Sequence, residues 1–180
     1  MQTDQIVWRN QADVQKNLSA MEIDWLFDRG SLTQRLTLLS SQRFSLEVLS
    51  EGYASLRLDE CLKLQLLFPQ KQWVREVILK GDNQSWVYAR SIIIKSDLGQ
   101  DDKQLTRLGC HPLGSVLFTD EQFQRSLIEV ANYPVTIIPV FEGSLGLWGR
   151  RSTFSGQNSV VLVQEIFLPK FWQYIKNDKE

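Results

Sequence analysis

Cysteine is scarce in this 180-residue chain. Cys61 and Cys110 are the only two, neither lies in a CxxC, and neither has a histidine at metal-ligand spacing. No zinc site or disulfide framework is indicated, and both read as reduced thiols of a reducing compartment. Histidine is scarcer still, with His111 standing alone directly after Cys110. A nucleophile and its base usually meet through the fold rather than along the chain, so His111 reads as a turn or helix-entry residue. An excess of one charge is also missing: 20 Lys and Arg face 21 Asp and Glu, with no block of five or six like charges. Without clustered cations to neutralise phosphates, nucleic acid is excluded as a partner. No apolar run approaches the roughly 18 residues that span a bilayer; SVVLV and SIII are strand-length. The N-terminal MQTDQIVWRNQADVQKN lacks a basic start, an apolar run and a small-residue cleavage site. The expectation is a cytoplasmic protein with no membrane insertion.

What remains is an ordinary globular composition, 43% hydrophobic and 23% charged. A chain of this length buries roughly 70% of its unfolded surface, enough for a core without metal or disulfide. There is no repeat, low-complexity run or Ser/Gly-rich linker, so residues 1–180 read as a single domain.

Val14, Leu18, Met21, Trp25 and Leu26 recur at three- and four-residue spacing, and Ser31-Leu-Thr-Gln34 forms a capping box that opens a second helix through Leu39. Arg29-Gly30 separates the two. From Phe44 the period becomes two, as in a half-buried strand. Trp73 to Lys80 and Trp86 to Lys95 are rich in aromatic and β-branched residues around Gly81-Asp-Asn-Gln-Ser85, a hairpin. Pro112 starts a short helix through Phe118, and Phe123, Leu127, Ile128 and Ala131 predict another. Asn132 to Ser144 reads as a strand or lid-like loop. Trp148-Gly-Arg-Arg151 reads as a solvated loop anchored by its tryptophan. Val160 to Leu168 is a last strand stopped by Pro169, with a terminal helix over Phe171 to Ile175. Strands in meander order with helices at the N-terminus and in one later segment predict an α+β domain on an antiparallel sheet.

Residues two apart in a strand share a face. Arg75 then lies with Trp73, Val77 and Leu79; Arg90 with Trp86, Tyr88, Ile92 and Ile94; and Glu165 with Val161, Val163 and Phe167. An unpaired buried charge costs several kcal/mol, roughly, even after relaxation. These groups must meet each other, as an internal Arg–Glu pair, or water, or a ligand. An apolar pocket with Arg and Glu suits a small anion.

Trp73-Val-Arg-Glu-Val-Ile-Leu79, Pro112-Leu-Gly-Ser-Val-Leu-Phe-Thr119, Leu147-Trp-Gly-Arg-Arg-Ser152 and Glu165-Ile-Phe-Leu-Pro169, with Asp24-Trp-Leu and Ser31-Leu-Thr33 before them, together resemble the chorismate lyases of ubiquinone-making bacteria. The resemblance covers about residues 22 to 169. It implies an α+β antiparallel-sheet fold with a buried site under helical flaps. It also implies elimination of pyruvate from chorismate to give 4-hydroxybenzoate, the first committed step of ubiquinone biosynthesis, by a monomer with no cofactor. Position by position it implies Leu32, Arg75, Leu113 and Glu165 as site residues, with Arg75 on the ring carboxylate and Glu165 near the hydroxyl. Our own addition is Arg90, expected to take the enolpyruvyl carboxylate. Leu32 stands where better-known members carry Met, and Ala89 where they often carry Gly. The chain is also longer than the family's usual spacing by about the Pro134 to Ser144 stretch, an enlarged flap or an added hairpin. The competing readings are a non-catalytic small-molecule sensor domain of similar fold and a scaffold protein. The first usually follows a DNA-binding domain for which the residues before Glu22 leave no room; the second leaves the inward charges unexplained.

Overall fold

A computed structural model describes residues 6–95, 105–118, 123–139 and 146–177. The N-terminal third is helical: α1 (Gln11–Val14), α2 (Ala20–Leu26) and α3 (Leu32–Leu39). Ser19 and Glu22 form a full capping box on α2, each satisfying the other's free backbone amide. At α3 only half of the expected box is made, the Ser31 hydroxyl accepting from the Gln34 amide.

β1 (Phe44–Ser55), α4 (Leu58–Leu64), β2 (Lys71–Gly81), β3 (Gln84–Lys95) and α5 (Gly114–Leu117) follow, then β4 (Gln124–Arg125), β5 (Glu129–Tyr133), β6 (Leu147–Ser155), β7 (Ser159–Phe167) and α6 (Pro169–Asn177). The seven strands form one antiparallel sheet in the order β1-β2-β3-β7-β6-β4, with β5 also paired to β6. This departs from a simple meander. The β6–β7 hairpin folds back so that the last strand lies against β3 in the middle of the sheet, where both of its edges are paired.

The β2–β3 hairpin turns at Asp82 and Asn83, both in the left-handed region (φ 51° and 61°), as a two-residue turn matched to strand twist requires. Leu79 pairs Val87 while Lys80 pairs Ser85, so Trp86 is an unpaired bulge residue. Its ring packs over Gly81, where an added Cβ would lie 2.0 Å from it. The bulge shifts the parity of β3. Trp86 and Val87 both join the core containing Val77, Leu79 and Ala89, while Tyr88 joins the core on the other face. α2, α3 and α6 cover the first face; α6 places Phe171 against Trp25, Trp86 and Phe167. The opposite face is covered by the N-terminal Ile6 and Trp8, by α4, and by a 3-10 turn at Val135–Ile137.

Three expectations are corrected. The helix expected through Phe123, Leu127, Ile128 and Ala131 is instead β4 and β5. Leu127, which a helix would bury, is 73% exposed, and the cross-strand bonds of Val130 and Tyr133 outweigh a short helix. Trp148 to Arg151 is no solvated loop but part of β6, with Arg150 and Arg151 1% and 8% exposed. Successive strand side chains point to opposite faces, and each guanidinium meets its own carboxylate, Glu165 and Glu129 respectively. The long segment after Tyr133 buries Val135 and Ile138 in the core with Tyr88 and Ile166. As far as it is described, it covers the sheet face away from Arg75 and is not a lid over that residue; residues 140–145 lie outside the described ones.

Candidate active site

Between the sheet and the covering segments lies a pocket, partly open to solvent and lined mainly by apolar side chains. Its floor is the pocket-side face of the central strands: Arg75, Val77, Ala89, Val163 and Glu165. Leu32 at the start of α3, Leu113 before α5, and Arg125, Arg150 and Phe154 also line it. Leu32, Arg75, Leu113 and Glu165, far apart in sequence, thus surround one space. Ala89 presents its methyl there, since Ala89 is the direct cross-strand partner of both Val77 and Glu165.

Arg75 is 2% exposed. Its Nη2 donates to the carbonyls of Gly109 (2.7 Å) and His111 (3.0 Å). His111 is accordingly a turn residue whose carbonyl, not its ring, serves the site; the ring Nδ1 stays 3.0 Å from the Leu108 carbonyl. Glu51 approaches Arg75 Nε only to 3.9 Å, and both atoms are buried without a hydrogen bond. Burial pulls the Arg75 pKa below its ordinary value, against the charge of Glu51. Glu165 is not its partner. Arg150 Nε donates to Glu165 Oε2 at 2.6 Å, and Arg150 Nη1 donates to the Trp25 and Asp28 carbonyls, both at 2.9 Å.

Arg90 is corrected as a site residue. Downstream of the Trp86 bulge, even-numbered β3 residues point away from the pocket. Arg90 Nε donates to Glu60 Oε1 at 2.8 Å and Nη1 to Glu76 Oε1 at 3.2 Å. Glu60, fully buried on α4, also accepts from Gln164 Nε2 at 2.7 Å and pairs with Arg57 at 2.7 Å. Arg151 continues this network to Glu129 and, through the Asp59 carbonyl, to α4. With Lys63 it holds four cations against four carboxylates, Asp59, Glu60, Glu76 and Glu129. It compensates itself, so it calls for no ligand.

The pocket does not compensate itself. Among the described residues its lining has three guanidiniums, Arg75, Arg125 and Arg150, against the single carboxylate Glu165. Arg125 and Arg150 were missed by strand alternation because β4 and β6 were not read as strands. The adjacent pair Arg150-Arg151 in an aromatic segment was the available signal.

The sequence model of the chorismate lyase family matches residues 2–177. The chain belongs to the chorismate lyase family. It is 46% identical over 170 residues to a protein of Pseudomonas fluorescens strain Pf0-1 named probable chorismate pyruvate-lyase 2, covering 94% of this chain and 93% of that one. It is 45% identical over 161 residues to the probable chorismate pyruvate-lyase of Pseudomonas aeruginosa PAO1, covering 89% and 90%. Among solved structures, the effector domain of PhnF from Mycobacterium smegmatis aligns with a TM-score of 0.52 at 10% identity, over 78% of this chain and 90% of that one. That likeness concerns the fold alone.

Proposed function

We propose that the chain is a chorismate pyruvate-lyase that converts chorismate into 4-hydroxybenzoate and pyruvate, opening ubiquinone biosynthesis, and acts as a cytoplasmic monomer. The observation that carries this reading, beside family membership, is the charge imbalance of the pocket. Chorismate is a dianion, and an apolar cleft whose described residues set three guanidiniums around one carboxylate is complementary to it.

The chemistry balances within the substrate. The ring loses the hydrogen on its hydroxyl-bearing carbon as a proton, and the neighbouring carbon–oxygen bond breaks with its electron pair passing to the departing enolpyruvate. The enolate takes a proton at its methylene carbon to become pyruvate. No oxidant or reductant is consumed, and aromatisation supplies the driving force, so residues that orient the substrate and stabilise the leaving charge suffice.

Arg75 takes the ring carboxylate. Its Nη1 makes no hydrogen bond among the described residues while Nη2 is held by the Gly109 and His111 carbonyls, so a fixed, charged N–H donor is left for a carboxylate. Leu32 and Leu113 grip the ring faces, Leu113 with Gly114 adding backbone contacts. Glu165 meets the hydroxyl-bearing carbon and its hydroxyl. Arg150 holds one carboxylate oxygen, leaving Oε1 for the substrate as hydrogen-bond acceptor or proton carrier.

The test is direct: purified protein is mixed with chorismate while 4-hydroxybenzoate is followed by absorbance and pyruvate by a coupled dehydrogenase. Equal amounts of both products are expected. Ligand binding without turnover would replace the lyase by a sensor.

A further inference from the structure

Of the three pocket guanidiniums, Arg150 is tied to Glu165 and Arg75 is assigned above to the ring carboxylate. Arg125 is held differently. Its Nε donates to Ser152 Oγ at 2.9 Å, and its Nη1 donates to the carbonyls of Arg29 (2.7 Å) and Gly30 (3.4 Å). The rings of Phe118 and Phe154 lie 5.5 and 5.2 Å from its Cζ. All of these partners are neutral. Among the described residues Arg125 makes no ion pair, and Nη2 makes no hydrogen bond to protein. Burial pulls its pKa down to about 10, only partly opposed by the charge of Glu165. A cation desolvated without a counter-charge is costly, and an anionic ligand in the pocket would offset that cost.

The geometry points to Arg125 as the residue that receives the enolpyruvyl carboxylate of chorismate, the part that leaves. This rests on the lyase reading above and takes the role that Arg90, on the other face of the sheet, cannot fill. Three neutral contacts and two rings orient the guanidinium before substrate arrives. As the carbon–oxygen bond breaks, its electron pair moves onto the ether oxygen next to the carboxylate that Arg125 holds. Attraction between Arg125 and the leaving group then rises as the reaction proceeds, which is how a fixed cation accelerates a step rather than merely tightening binding.

The experiment compares a ligand with one carboxylate and a ligand with two. 4-Hydroxybenzoate and 3-(carboxymethoxy)-4-hydroxybenzoate are titrated by calorimetry into the wild type, Arg125→Gln and Arg125→Lys, with chorismate kinetics and melting temperature measured beside them. The wild type should bind the dicarboxylate more tightly than 4-hydroxybenzoate. In Arg125→Gln, dicarboxylate affinity and kcat/KM for chorismate should fall on the order of 10²-fold while 4-hydroxybenzoate affinity stays within about threefold. Arg125→Lys should fall between the two, because it keeps the charge and loses the fork. Equal weakening of both ligands would make Arg125 only a brace for the Arg29–Gly30 turn. No weakening, or a wild type that does not prefer the dicarboxylate, would also overturn the assignment. If Arg125→Gln fails to fold, the same split is read from Arg125→Lys. A wild type that shows the affinity split but does not convert chorismate would sink the lyase reading and leave Arg125 as an anion-binding residue.

Discussion

Arg150 and Glu165 face each other as direct cross-strand partners on β6 and β7, joined from Nε to Oε2 at 2.6 Å. The same guanidinium holds the carbonyls of Trp25 and Asp28 at the end of α2. One side chain therefore fixes the carboxylate of the pocket floor and docks the helical cover onto the sheet. Glu165→Gln removes the charge and the capacity to exchange a proton while keeping size. If Glu165 acts in the transition state, kcat and kcat/KM should fall together by roughly 10²–10⁴. If it only holds the hydroxyl, KM should rise alone. A drop in melting temperature with chemistry intact would instead mark a structural counter-charge for Arg150.

Arg75→Ala should cripple chorismate turnover, and Arg75→Lys should restore it only in part, because an ammonium lacks the planar guanidinium that holds the Gly109 and His111 carbonyls while presenting a further donor to the ligand. Steady-state kinetics decide this. Wild-type kinetics in Arg75→Ala would leave Arg75 as a brace for the Gly109–His111 turn.

Arg90→Ala should act on stability rather than on the site. Removing one partner of a buried, hydrogen-bonded ion pair costs roughly 3–5 kcal/mol, and here it would leave Glu60 and Glu76 short of a cation. Denaturant unfolding should show that loss, while 4-hydroxybenzoate affinity of the folded fraction stays unchanged. A selective loss of binding would return Arg90 to the site.

The same network sets an acid limit. Burial would raise the Glu60 pKa, but hydrogen bonds and charge from Arg90 and Arg57 outweigh it and hold the carboxyl below its ordinary value of 4.5. A carboxylate depressed in the folded state contributes stability above its unfolded pKa and loses it as pH falls through the folded pKa. Melting temperature should therefore drop on the acid side of pH 4.5, and this dependence should be shallower in Glu60→Gln, whose starting stability is lower. Identical pH profiles would remove Glu60 from the account.

Cys61, buried, and Cys110, exposed, are both free. Among the described residues no cluster of His, Cys, Asp or Glu could hold a metal. Turnover should survive exhaustive chelation and the double change Cys61→Ser, Cys110→Ser. Loss of activity in a folded sample under either treatment would point to a metal or thiol step that the chemistry above does not contain.

Local order was legible wherever period and turn chemistry agree. The Asp82-Asn83 hairpin, the alternation of β1, the strand ended by Pro169 and the face shared by Arg75, Val77 and Leu79 follow from residue spacing, because those patterns depend on a few neighbours and on backbone geometry. Alternation also marked Glu165 as an inward charge, and family resemblance added Leu32 and Leu113, which no local pattern brings near Arg75. What only the tertiary structure decided is parity and partnership. One bulge at Trp86 turns Arg90 away from the pocket. β4, β5 and β6 exist because their backbones find one another across the chain, overriding the helical spacing of Phe123, Leu127, Ile128 and Ala131. The pairing of Glu165 with Arg150 rather than Arg75 depends on the β6–β7 register, and Arg125 enters the pocket only because β4 joins the far end of β6. Which charges cancel and which are left for a ligand is a property of distances between strands, and a sequence read residue by residue carries no such distances.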